Sequence, residues 1–254
     1  MTHPLEFHSQ PSASVLPTET LPSLPVFDIP VHLHGDYPQW LMNRIRHGVG
    51  THVVTLNAEI AIMTQNDQAI AQVIKQADLI VPDGAGVVFY LKMRGKNQAR
   101  FPGIEVAEAL LRKAAKQNWT IVFFGGAPGV AEKAKQRWLR HYPDLQITTQ
   151  HGYLTPETEA QFQAELAENQ PQLIFTCLGV PKQEFWIQDN RHLCPNSTWI
   201  GLGGSFDVWS GLKQRAPKIW QNLHLEWLYR LLQEPSRWRR MLALPQFVWK
   251  SLWS

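Results

Sequence analysis

The stretch WTIVFFGGAPGVAEKAKQRWLR, Trp119 to Arg140, sets the reading of the fold. Trp119 to Phe124 carry no charge and are rich in aromatic and β-branched side chains, as a buried strand requires. Phe124-Gly125-Gly126-Ala127-Pro128-Gly129 then turns the chain into an amphipathic segment over 128–140. Apolar run, polar turn and helix recur along the body. Strands are predicted at 52–56, 78–82, 119–124, 145–149, 172–178 and 198–202. Helices are predicted at 36–46, 58–76 with a break, 84–93, 103–117, 128–140, 156–168, 182–192 and 204–211. This alternation predicts an α/β fold with a Rossmann-like, largely parallel sheet, and the polar turn residues should collect at its carboxyl edge.

At 254 residues and 44% hydrophobic, the chain is long and apolar enough for one large domain, or a domain with an appendage. Residues 1–25 are rich in Pro, Ser and Thr and hold no Lys or Arg, so they read as a flexible leader without the features of a signal peptide. Residues 26–212 form the expected catalytic domain and 213–254 the appendage. Cys177 and Cys194 have neither metal-ligand spacing nor a disulfide framework around them, which suggests a reducing cytoplasm. No apolar run reaches the roughly 18 to 20 residues of a spanning helix, so membrane contact is expected to be peripheral.

Charge divides the chain unevenly. Residues 213–254 contain eight Lys and Arg against Glu226 and Glu234, or +6, which leaves sixteen positives and nineteen negatives, or −3, for the rest. Trp220, Trp227, Trp238, Trp249 and Trp253 lie in the same segment. Tryptophan beside arginine suits a bilayer interface or an anionic ligand. Two or three short helices are expected there, Pro235 being suited to start one.

Four strand ends carry possible chemistry. Thr55 and Asn57 fall on one side of their strand, where they can orient a sugar, or Asn57 can cap the next helix. Asp83-Gly84-Ala85-Gly86 places a carboxylate at a strand tip, although Asp-Gly is also a plain turn signal. The 124–129 turn aims amide groups at an anion or simply packs strand against helix. Leu178-Gly179-Val180-Pro181-Lys182-Gln183-Glu184 presents a cation, an amide and a carboxylate together. His32 and His34 alternate with no third ligand nearby, so no metal site is expected, and no nucleophile elbow or Cys/His pair emerges.

Taken in order, Thr55-Leu56-Asn57, Pro82-Asp83-Gly84-Ala85-Gly86-Val87-Val88, Arg100-Phe101-Pro102-Gly103, Leu178 to Glu184, Gly201-Leu202-Gly203-Gly204-Ser205-Phe206-Asp207 and Arg215-Ala216-Pro217 resemble the WecG/TagA/CpsF glycosyltransferase family. Leu225-Glu226-Trp227-Leu228-Tyr229-Arg230-Leu231 and Glu234-Pro235-Ser236-Arg237 resemble its C-terminal signature, and the likeness runs from about residue 26 to 245. It implies an inverting transferase, without cofactor or metal, that moves an N-acetylmannosamine-type or related hexose. The donor would be a UDP-sugar and the acceptor an undecaprenyl-diphosphate-linked saccharide at the cytoplasmic membrane face. By the resemblance Asp83 is the general base, Thr55 and Asn57 hold the sugar, Arg100 meets the acceptor's phosphate or the donor, and Gln183 meets sugar or nucleotide. Arg230, Arg237 and Arg240 would reach over the site, and homo-oligomers are implied. Pro82 and His224 stand where small residues are frequent in the family, His224 in place of glycine; Trp209-Ser210-Gly211 also departs from its pattern. Two other classes compete. A nicotinamide-dependent oxidoreductase would need the G-x-G-x-x-G spacing and ribose-binding acid that are missing here. A basic adaptor for membrane or anionic polymer would have no need of the Asp83 carboxylate. Nucleic acid is not an expected partner.

Overall fold

The structure is a computed structural model and describes residues 20–253; most of the expected leader lies outside the described residues. The first element is an antiparallel hairpin, β1 (Ser23–Val26) and β2 (Ile29–His32), which begins within the stretch read as leader. There follow α1 (Tyr37–Arg46), β3 (Thr51–Leu56), α2 (Ala58–Asn66), α3 (Gln68–Lys75) and β4 (Leu79–Pro82). Next come α4 (Ala85–Met93), α5 (Gly103–Ala114), β5 (Thr120–Gly125), α6 (Val130–His141), β6 (Gln146–Gln150), α7 (Pro156–Asn169) and β7 (Leu173–Cys177). The body closes with α8 (Lys182–Asn190), β8 (Thr198–Gly201) and α9 (Ser205–Ser210). Beyond it lie α10 (Lys218–Asn222), α11 (Glu226–Gln233), a single 3-10 turn at Pro235–Arg237, α12 (Trp238–Met241) and α13 (Ala243–Trp253).

Local chemistry sets the boundaries. Asp67 ends α2 and caps α3 with its own carboxylate, which is the break expected within 58–76. Asp36 caps α1, and Thr155 forms a capping box at α7. The tail divides into more helices than expected, and Pro245 is accommodated in the first turn of α13, where its missing N–H costs no helical bond.

The six-stranded sheet has the order β4-β3-β8-β7-β5-β6, and every pairing in it is parallel. Numbered within the sheet, that order is 2-1-6-5-3-4. It is not the 3-2-1-4-5-6 of a dinucleotide-binding sheet, because β8 inserts between β3 and β7. The α/β class and the parallel sheet therefore hold, with a strand order other than that of the dinucleotide-binding sheet.

Helices cover both faces, as a parallel sheet demands. On one face Val53, Leu79, Val81, Ile121, Phe123 and Phe175 pack against α1, α5, α6 and α9. On the other, Val54, Leu56 and Ile80 meet α2 to α4, while Val122, Phe124, Ile174 and Trp199 meet α7 and α8. The strand residues alternate between these faces with period two. His32 joins hairpin to sheet, its Nδ1 accepting from the backbone N–H of Ile80 at 2.9 Å.

The tail is fastened to the body through Phe247, 1% exposed, whose ring lies 4.9 Å from that of Phe27 in the hairpin turn and 6.4 Å from that of Tyr90. A Cβ on Gly86 would stand 3.3 Å from the Phe247 ring, so α4 offers a flat seat there. His224 joins α10 to α11 at φ 60°, a conformation glycine adopts without cost. Phe247→Ala is expected to weaken docking of α13 by about 3 kcal/mol. Hydrogen exchange should show α13 amides exchanging faster while the strands stay protected; equal loss of protection throughout would contradict a separately docked helix.

Candidate active site

The strand tips bring part of the expected constellation together. After Pro82 the backbone N–H of Asp83 bonds to the Leu56 carbonyl at 3.0 Å, so the carboxylate stands directly beyond the β3–β4 pair. The segment after α4 then returns, with the Phe101 N–H on the Pro82 carbonyl at 2.9 Å, and starts α5 beside Asp83. Gly103 permits this approach. A Cβ there would lie 2.8 Å from the Thr55 Cγ2, whereas glycine lets the first turn of α5 close in and bond the Asp83 carboxylate through its backbone.

Cations reach the same place from two directions. Arg100 approaches from the segment before α5 and Arg230 from α11, and the Glu226 carboxylate joins them. Arg230 Nη2 lies 2.9 Å from Glu226 Oε1, and Arg100 Nη2 lies 3.4 Å from Glu226 Oε2. Burial pushes the Asp83 carboxyl up to about 6. The Arg230 charge, the Gly103 backbone bond and the Arg100 charge pull it down, while Glu226 pushes it further up. Asp83 still keeps a partial opening to solvent. A carboxyl raised to about 6 is suited to accept a proton from a bound hydroxyl.

The other expected residues take separate stations. Thr55 is buried under this floor, its hydroxyl 3.5 Å from the Gly201 carbonyl. Asn57 caps α2, its Oδ1 accepting from the Ile60 N–H at 3.0 Å, and its Cβ would lie 3.0 Å from a side chain added at Gly84. Arg240 pairs with Glu59 in the first turn of α2 at 2.9 Å. Arg237 pairs with Glu234 at 2.5 Å, and Lys213 bridges Glu234 and Asp207 at 2.6 and 2.9 Å.

The 182–184 run differs from expectation. Lys182 is exposed, but Gln183 and Glu184 are buried and face inward. Glu184 Oε2 lies 2.9 Å from His52 Nε2 and its Oε1 accepts from Gln183 Nε2 at 2.8 Å. Gln183 Oε1 in turn accepts from the Gly203 N–H at 3.0 Å. These groups hold the turn after β8 in shape; they are not presented together to a ligand. Around 124–129, glycine serves close packing, since a Cβ on Gly125 would stand 2.4 Å from the Cys177 carbonyl oxygen. Among the described residues no group of three or more His, Cys, Asp or Glu could hold a metal ion.

Sequence reading did not find the part played by Glu226. Its spacing of four from Arg230 on one helix was a visible signal, but its second partner lies 126 residues away.

Residues 24–254 match the Glycosyl transferase WecG/TagA/CpsF family. An N-acetylglucosaminyldiphosphoundecaprenol N-acetyl-beta-D-mannosaminyltransferase of Bacillus spizizenii is 40% identical over 201 residues, covering 78% of this chain and 77% of the relative. A protein of the same name from Bacillus subtilis is 35% identical over 233 residues, covering 91% and 90%. With the match running from the hairpin through the docked tail, the chain belongs to the WecG/TagA/CpsF glycosyltransferase family.

Proposed function

We propose that the protein is an inverting, metal-independent hexosyltransferase that moves an N-acetylmannosamine-type or related sugar from a UDP-sugar to an undecaprenyl-diphosphate-linked saccharide, for cell-surface polysaccharide, at the inner face of the plasma membrane. The observation that carries this reading is the Asp83 carboxyl, raised to about 6 beside two guanidinium groups that share one acid. The names of the two Bacillus relatives support the transferred sugar and the acceptor class.

In the proposed reaction an acceptor hydroxyl attacks the anomeric carbon while Asp83 takes its proton. The bond from that carbon to the UDP oxygen breaks on the opposite side, so configuration inverts, and Asp83 later releases the proton to solvent. Negative charge grows on the leaving diphosphate. Arg100 and Arg230 stand where they can meet it, with Arg240 and Arg237 on the same appendage. Thr55 and Asn57 shape the floor on which the sugar rests, and Gln183 acts through the Gly203 turn.

The tail offers a surface for the lipid side. Trp238, Leu242, Trp249 and Trp253 are all exposed, the last two at 65% and 76%, and Arg239 lies over the Trp238 ring at 5.5 Å. Tryptophan with arginine beside it suits the headgroup layer of an anionic bilayer.

Asp83→Asn is expected to lower acceptor-dependent UDP release by about 10²- to 10⁴-fold, with UDP-sugar affinity retained in calorimetry. Wild-type turnover in that variant would exclude Asp83 as the base, and no turnover by either protein would favour the adaptor reading. For the native protein kcat/KM should rise with pH through about 6 and level off above it, because the base must be ionised. Stability follows the opposite course. A carboxyl whose folded value lies above its unfolded one loses stability as pH rises between the two, so Asp83→Asn should have the higher Tm at pH 8 and an equal Tm near pH 4. Trp249→Ser with Trp253→Ser should cut partitioning onto anionic vesicles by at least about tenfold while sparing transfer to a short-chain soluble acceptor. Retained partitioning would count against this face. Loss of transfer in chelator would contradict metal independence.

A further inference from the structure

Glu226 is one of two acids in a mainly cationic appendage, at the point where that appendage meets Asp83. The residue is 9% exposed, and each of its two oxygens has a separate partner. Oε1 takes Arg230 from its own helix, one turn on, and Oε2 takes Arg100 from the segment that precedes α5. Both cations act electrostatically on Asp83, yet both guanidinium groups are paired with Glu226.

This division matters for a base. A guanidinium in direct contact with a carboxylate favours its charged form and occupies the lone pairs that must receive the proton. Asp83, flanked by two such groups at the start of α5, would be the obvious partner for either if nothing else held them. We propose that Glu226 is a positioning residue that holds Arg100 and Arg230 off the Asp83 carboxylate and presents them together toward the leaving diphosphate. The inference rests on the transferase reading for the second half of that statement; the first half rests on the two Glu226 ion pairs, on the Phe101–Pro82 backbone bond that brings Arg100 to the strand tip, and on the charge effect of both arginines at Asp83.

The charged and polar groups that face Asp83 are Arg230 and Glu226 from α11, Arg100 from the loop before α5, and the Gly103 backbone at the start of α5. Exchanging Glu226 for glutamine keeps its shape, removes its charge and loosens its hold on both guanidinium groups. Arg100 or Arg230 is then free to pair with Asp83, and the like charge that opposes ionisation is gone. Both changes move the Asp83 midpoint down. Loss of the charge alone lowers the midpoint in Glu226→Gln, so the separating variant is Glu226→Asp, which keeps the charge. Release of the cations onto Asp83 lowers its midpoint, whereas drift of Arg230 away from the site, if Glu226 only fastened α11 to the body, raises it.

The test is a carbon-13 titration of the carboxyl groups in the full-length protein, with the Asp83 resonance assigned by its absence from Asp83→Asn. In Glu226→Gln the Asp83 midpoint is expected to fall by about one pH unit or more. The acid limb of kcat/KM should shift with it, and plateau kcat should drop about tenfold. A midpoint that is unchanged or raised would overturn the proposal. Whether or not Glu226→Gln folds, Glu226→Asp, whose shorter carboxylate cannot span both guanidinium groups, should lower the midpoint by a smaller amount, and no change or a rise would overturn the proposal. The carboxyl titration needs no turnover. Absence of transfer by the wild-type protein with every UDP-hexose would therefore sink the transferase reading, while the midpoint would still judge whether Glu226 keeps the cations off Asp83.

Discussion

Burial of the Asp83 carboxyl where β4, the start of α5 and α11 meet sets the terms for everything around it. An acid in that position is costly to ionise, and the protein offsets the cost only in part, with one backbone bond from Gly103 and two guanidinium groups held by another acid. Complete compensation would fix the charge and end its use as a base. The partial compensation seen here keeps the carboxyl near neutrality. It also explains why Gly103 has to be glycine, since any side chain would collide with Thr55 and move the start of α5 away.

The charge asymmetry of the chain acquires a physical meaning in the same way. Body and tail attract, and the tail's cations find acids at the carboxyl edge of the sheet: Arg215 with Glu105, Arg240 with Glu59, and Lys213 with Asp207. In return the tail contributes Glu226 to Arg100 of the body. Pairs of this kind that stay partly exposed contribute little stability individually. The apolar seat of Phe247 does more to fix where α13 lies, and the ion pairs set which side chains face the site.

Much of the fold was legible because it is written in local periodicity. All six sheet strands and the helices between them fall within a few residues of the ranges expected from apolar runs and polar turns, since a strand buried on both faces has no alternative to a continuous apolar run. The hairpin was not legible. Pro25 and Pro30 lie opposite each other in it, a pairing that needs no N–H from either, and prolines ordinarily argue against a strand. Its turn puts Phe27 and Asp28 at positive φ without the glycine that usually marks such a turn. The alternation of Leu24, Val26, Ile29 and Val31 was its one visible trace.

Sequence by itself determined the α/β class, the placement of Asp83 at a strand tip and the basic, aromatic character of the tail. Each of these depends on residues close together in the chain, where spacing fixes geometry. Tertiary structure alone decided the strand order, the inward turn of Gln183 and Glu184 toward Gly203 and His52, and the meeting of Arg100, Glu226 and Arg230 around Asp83. A charged pair carries no local periodicity. Which acid faces which base across 126 residues is settled only when the chain brings α11 to the segment before α5.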